Sequence, residues 1–172
     1  EQEQEQEQEQ EQEQITAIFK PIKIGFLNDF VRKNRQRSGS KVFETNLKGV
    51  KELFSALKKS EIIAMAADQV PARGMGIYEN FFGKNVYTTN LIPSLHVRTN
   101  APIVSVAMHS DITNGHLYIR YGAKYLYSDN NTFDAKAMNK EIESMININP
   151  ADYNWEYKRF KKQQTEDKNI YK

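Results

Sequence analysis

From Ile15 onward the spacing of apolar residues changes repeatedly, and each change marks an element. Ile15 to Phe19 is an apolar run of strand length, closed by Pro21. Phe26, Leu27, Phe30 and Val31 then recur at helical spacing, and Ser38-Gly39-Ser40 ends that element. Lys41 to Glu44 has the length of a short strand. Val50, Leu53, Phe54 and Leu57 stand at i, i+3, i+4 and i+7, the stripe of an amphipathic helix. Ile62 to Ala67 is a short continuous apolar run, the pattern of a strand buried on both faces. Pro71 and Gly74 mark the loop that follows.

Thr88 to Thr99 predicts a helix, with Thr88 or Thr89 as N-cap and Pro93 near its first turn. Pro102 to Ala107 and His116 to Tyr121 predict a hairpin turned at Asn114-Gly115. Met138, Ile142, Met145 and Ile146 predict a late helix stopped at Asn149. Pro150 can open a further short helix through Arg159, and the polar end from Lys161 is expected to fray. The sum is an α/β fold, a single domain with a mixed sheet flanked by helices.

Residues 1–14 depart from this patterning: they are a strict Glu-Gln repeat with no apolar position. Such a stretch buries nothing against the entropy of ordering it. It reads as a solvated tail, an artificial addition or a placeholder. The expected layout is therefore a low-complexity tail over 1–14, one domain over 15–161 and a polar tail over 162–172.

The repeat also hides charge. Seven of the 22 acidic residues lie in it, so the rest carries 24 basic against 15 acidic residues, net +9. A basic body suits an anionic partner: phosphate groups, an acidic carrier protein, a nucleic acid or a membrane surface. Ordinary solubility is the bland alternative. The chain has no cysteine, which excludes a disulfide framework, a thiolate nucleophile and a Cys-based zinc site. No apolar run reaches the ~20 residues that cross a bilayer. Any membrane anchor would lie upstream.

Few residues look chemically placed. Asp68 and Gln69 follow an apolar strand, and ligands of open α/β sheets bind beyond the carboxyl ends of strands. A turn-forming Asp before a Pro-containing loop is the structural alternative. Arg35 and Arg37 offer planar, permanently charged donors for phosphate or carboxylate, or simply a solvated helix end. His96, His109 and His116 are each expected to be structural, with His96 on a helix surface. None has an acid five residues on, where Ala101, Asn114 and Tyr121 stand. Metal spacing, a phosphate loop and a Gly-x-Ser-x-Gly elbow are all missing from the sequence.

The run from Asn149 to Lys161 holds the single tryptophan among basic and aromatic residues. Pro150, Tyr153, Trp155, Arg159, Phe160 and Lys161 resemble the closing motif of the bacterial lipid A biosynthesis acyltransferases, with Tyr157 where that family usually has histidine. Further landmarks come in the family's order. They are Phe19-Lys20-Pro21, Arg35-Gln36-Arg37-Ser38-Gly39, Leu57-Lys58-Lys59-Ser60-Glu61, Asp68-Gln69-Val70-Pro71, Phe81-Phe82-Gly83 and Ala101-Pro102-Ile103-Val104. Together they cover Phe19 to Lys161.

The resemblance implies a glycerolipid acyltransferase-like fold. It implies transfer of a fatty acyl chain from acyl carrier protein thioester to a hydroxyl of a lipid A precursor, at the cytoplasmic face of the inner membrane. It implies no metal or organic cofactor and no nucleic acid. Asp68 with Arg37 or Arg35 would be catalytic, and Gln69, Arg159 and Lys161 would bind substrate. The family's general base is a His-x4-Asp/Glu pair that should precede Phe19, where the repeat stands. The chain alone is therefore expected to be inactive. A non-catalytic lipid- or carrier-binding protein and a basic nucleic-acid-binding domain are the competing readings.

Overall fold

The computed structural model describes residues 14–21, 23–36, 39–111, 113–125, 134–162 and 171. It divides the chain into two compact units, Glu1–Met65 and Ala66–Lys172, both within the α/β class.

The first unit is a parallel sheet with helical crossovers. Strand β1 (Ile15–Phe19) is central, flanked by β2 (Lys41–Glu44) and β3 (Ile62–Ala64). Helix α1 (Gly25–Gln36) links β1 to β2, and α2 (Leu47–Lys58) links β2 to β3. Asn46 caps α2, its side-chain oxygen accepting the Gly49 N–H at 3.0 Å. The predicted stripe buries Leu53, with Ala56 beside it, and the core also holds Phe19, Val42 and the Thr16 side chain. Strand β3 corrects one expectation. It stops at Ala64 and occupies a sheet edge, so Ile62 is exposed rather than buried on both faces.

The second unit carries two antiparallel hairpins. One pairs β4 (Gly76–Phe81) with β5 (Lys84–Thr89) across Phe82-Gly83, both with positive φ. That backbone suits a tight two-residue hairpin turn, although Phe in place of Asn or Gly hides it in the sequence. Thr88 and Thr89 end β5, so helix α3 begins later than predicted, at Leu91–Thr99, and runs to a left-handed Asn100. The Thr89 hydroxyl accepts the Leu91 N–H at 3.2 Å, a capping contact just before the helix. The other hairpin, β6 (Ile103–Asp111) with β7 (His116–Tyr125), turns through Asn114-Gly115 as the sequence predicts.

Helix α4 (Ala135–Ile148) starts from Asp134, whose side chain accepts the Ala137 N–H, and packs Met138, Met145 and Ile146 inward. Phe81, Val86 and Ile146 form the core, joined by Phe82, Ile142, Tyr153 and Phe160. The stretch after Asn149 is not one helix. It makes two 3₁₀ turns, Pro150–Asp152 and Trp155–Tyr157, and Lys158 takes positive φ. Parallel and antiparallel pairings are both present, distributed over three separate sheets. The fraying expected of the tail falls mainly on residues outside those described.

Candidate functional site

The two motifs that frame the second unit meet. Asp68 lies in the turn beyond β3, and the closing segment 150–162 holds that loop from several points. The Tyr157 hydroxyl accepts the Val70 N–H at 2.7 Å. Lys162 Nζ donates to the Pro71 carbonyl at 3.0 Å, and Tyr87 donates its backbone N–H to the Lys162 carbonyl at 2.9 Å.

Asp68 is partly buried, and its charge reaches Tyr153, Tyr157 and Arg159. The Tyr153 hydroxyl is buried and completes no hydrogen bond of good geometry. Burial first, and then the adjacent Asp68 carboxylate, push its phenol well above the ordinary tyrosine range. Burial raises Tyr157 too, with Asp68 adding to the effect and the Val70 N–H opposing it. Both tyrosines are therefore held in their neutral form, with the Tyr153 hydroxyl near the Asp68 carboxylate.

Arg159 is 2% exposed. Nη1 donates to the Tyr87 carbonyl at 2.9 Å, and Nη2 donates to the Thr88 hydroxyl at 2.9 Å and Asn139 Oδ1 at 3.5 Å. The guanidinium also lies over the Phe81 ring, 5.0 Å from its centroid. Burial pulls its pKa down, while Tyr153, Asp68 and Tyr157 pull it up. Asn139 extends the network, donating to the Asn80 carbonyl at 2.8 Å and to Thr88 at 3.1 Å. Arg159, expected to bind substrate, thus has its terminal nitrogens engaged inside the fold. Gln69 is exposed beside Asp68, and Lys161 is exposed with Nζ 4.7 Å from the Tyr157 ring centroid.

The arginine cluster belongs to the first unit. Arg35 is exposed, its guanidinium 5.7 Å from the Phe19 ring centroid. Arg37 lies outside the described residues.

Two histidines are buried, and for His96 this differs from the helix-surface position expected of it. His96 is buried, with Nδ1 2.7 Å from the Ala101 carbonyl, because α3 turns that face inward. His109 is buried with Nδ1 3.5 Å from Asp152 Oδ2. Asp152 also accepts from the Ser110 hydroxyl and N–H and from Asn149 Nδ2. The Ser110 hydroxyl and N–H, and then His109, hold its carboxyl below the usual aspartate range. Neither ring nitrogen of His109 completes a hydrogen bond or reaches solvent, so the pair braces β6 against the 150–152 turn.

Comparison with known proteins identifies the family. The family described as bacterial lipid A biosynthesis acyltransferase matches residues 8–162. The chain belongs to that family. The lipid A biosynthesis palmitoleoyltransferase of Escherichia coli (strain K12) and the lipid A biosynthesis acyltransferase of Shigella flexneri are each 30% identical to it over 159 residues. That stretch is 90% of this chain and 51% of each relative, so the chain spans about half the length of the curated relatives it matches.

For this acyltransferase-family chain, the sequence marks Asp68 and the closing motif but not what joins them. Asn139 and Thr88 read as ordinary polar positions on a helix and a strand. The available signal was weak: an Asn on the apolar stripe of α4, one residue after Met138.

Proposed function

We propose that this chain serves acyl transfer in lipid A synthesis, moving a fatty acyl chain from acyl carrier protein thioester to a hydroxyl of a lipid A precursor at the cytoplasmic face of the inner membrane. Family membership over residues 8–162 carries the reading. In the reaction the acceptor oxygen bonds to the acyl carbon, the thioester C–S bond breaks, and the hydroxyl proton passes to a base while the carrier leaves as thiol.

Asp68 and Gln69 face the acceptor in this reading. Tyr157 keeps the Asp68 loop in place through the Val70 N–H, and Arg159 supports it from within through Tyr87 and Thr88. Arg35, Arg37 and Lys161 supply positive charge for the carrier protein and the lipid phosphates, in keeping with the net +9 of the body. No His-x4-Asp/Glu pair occurs in the 172 residues. A positioned base is worth roughly 10²–10⁴-fold, so turnover by this chain alone should be minimal.

An acyl-transfer assay read by mass spectrometry tests the proposal, with acyl carrier protein thioester as donor and a lipid A precursor as acceptor. The chain is run beside a chimera carrying the upstream half of the E. coli relative, with and without Asp68→Asn. Transfer by the chimera alone, cut roughly a hundredfold by Asp68→Asn, is expected. Robust transfer by the chain alone would place the base within it. Transfer by neither would favour a non-catalytic carrier- or lipid-binding role, the second reading that the missing pair supports.

A further inference from the structure

Helix α1 stands apart from the other helices. Among the described residues it is the one α-helix with no buried residue, whereas α2, α3 and α4 each bury part of a face. Leu27 and Val31 are half-buried, but Phe26 is 74% exposed and Phe30 64%. Phe26, Phe30 and Lys33 follow at i, i+4 and i+7, on one outward line. Ile24 is also exposed, just before the helix.

The surroundings of this line are strongly basic. Between Lys20 and Phe43 the sequence holds seven basic residues, Lys20, Lys23, Arg32, Lys33, Arg35, Arg37 and Lys41, against one acid, Asp29. That acid is engaged by Arg32 at 3.3 Å within the helix. Aromatic rings standing out of a helix among cations are the pattern of an element lying in a bilayer interface. Rings enter the boundary between headgroups and acyl chains, while lysine stems run along the apolar layer and keep their charges at the phosphates. An acidic protein could take the charges, but it would need a shaped pocket for each ring. A bilayer accepts the rings without shape complementarity.

We infer that α1 is a membrane-surface helix that docks this chain on an anionic bilayer, with Phe26 and Phe30 inserted and Lys23 and Lys33 on lipid phosphates. The inference rests on the acyl-transfer reading for its biological setting, since the acyl chain and its acceptor end in a membrane lipid. Each basic residue near an anionic surface adds attraction that weakens with salt.

The test is co-sedimentation of the whole chain with vesicles of phosphatidylcholine, either pure or mixed with phosphatidylglycerol. Binding to the mixed vesicles, falling with added salt and lost on pure phosphatidylcholine, is expected. The Phe26→Ala/Phe30→Ala pair should bind roughly tenfold more weakly with an unchanged circular dichroism spectrum. Because the chain has no cysteine, Phe30→Cys takes a single polarity-sensitive fluorophore. Its emission should move to the blue on mixed vesicles, while the same label at Lys140→Cys on α4 should not respond. Failure to sediment would overturn the inference. So would equal binding by the double variant, which would point to the exposed Val106, Met108, Leu117, Ile119 and Tyr121 of the β6–β7 hairpin. A chain that binds through α1 yet never supports acyl transfer, even in the chimera, would sink the proposed function and leave this inference intact. Transfer without α1-dependent binding would do the reverse.

Discussion

Arg159 is a motif residue whose guanidinium is held inside the fold. Its guanidinium fork joins the Tyr87 carbonyl and the Thr88 hydroxyl, both in a dry interior. Truncation strands these acceptors, and hydrogen bonds to a charged group are worth about 1.5–3 kcal/mol each. Arg159→Ala should therefore lower stability by about 3 kcal/mol or more, measured by urea denaturation. Arg159→Lys should recover little, because an ammonium cannot span both acceptors in a plane. Loss of less than about 1 kcal/mol would mean that the network is dispensable. Asp152 gives a prediction in pH. Its folded pKa is depressed, so its contribution is present above the unfolded value near 3.8 and is lost as pH falls through the folded value. Asp152→Ala should thus be less stable than the parent at neutral pH, and the gap should close below about pH 3.8. A gap that persisted in acid would contradict the assignment.

At the scale of elements, Gly49 decides how α2 meets its sheet. A Cβ there would collide with the Glu44 backbone carbonyl, and it would also press on the Ile18 side chain. Alanine gains about 1 kcal/mol of helix propensity over glycine. A backbone clash in packed structure costs about 1–3 kcal/mol, so the clash should win. Gly49→Ala is expected to lower the thermal midpoint, and an increase would show that α2 can shift off β2. Elements with a strong period were legible in advance. The stripe of α2, the Asn114-Gly115 hairpin and the Met138–Ile146 face of α4 all form as spaced, because burial rewards the same residues that set the period. The β4–β5 hairpin was illegible, since its turn places Phe82 in a conformation that phenylalanine rarely adopts. The end of β5 carries a helix-start pattern, because Thr88 and Thr89 suit an N-cap as well as a strand.

Across the molecule, the order of residues alone carried the α/β class, the basic body, the absence of cysteine chemistry and the family. These depend on composition, periodicity and ordered motifs, all of which survive in one dimension. It also singled out Asp68, because an acid at the end of an apolar run is a local signal. Which side chains surround it followed from packing. Tyr153, Tyr157 and Arg159 lie more than eighty residues from Asp68 along the chain, and only packing brings them near it. Burial likewise turned His96 inward and closed Arg159 into the core, while it left Phe26 and Phe30 outside. The physical reason is common to all of these: helical and strand periods say that a face is apolar, but only the packed neighbours determine whether that face is covered.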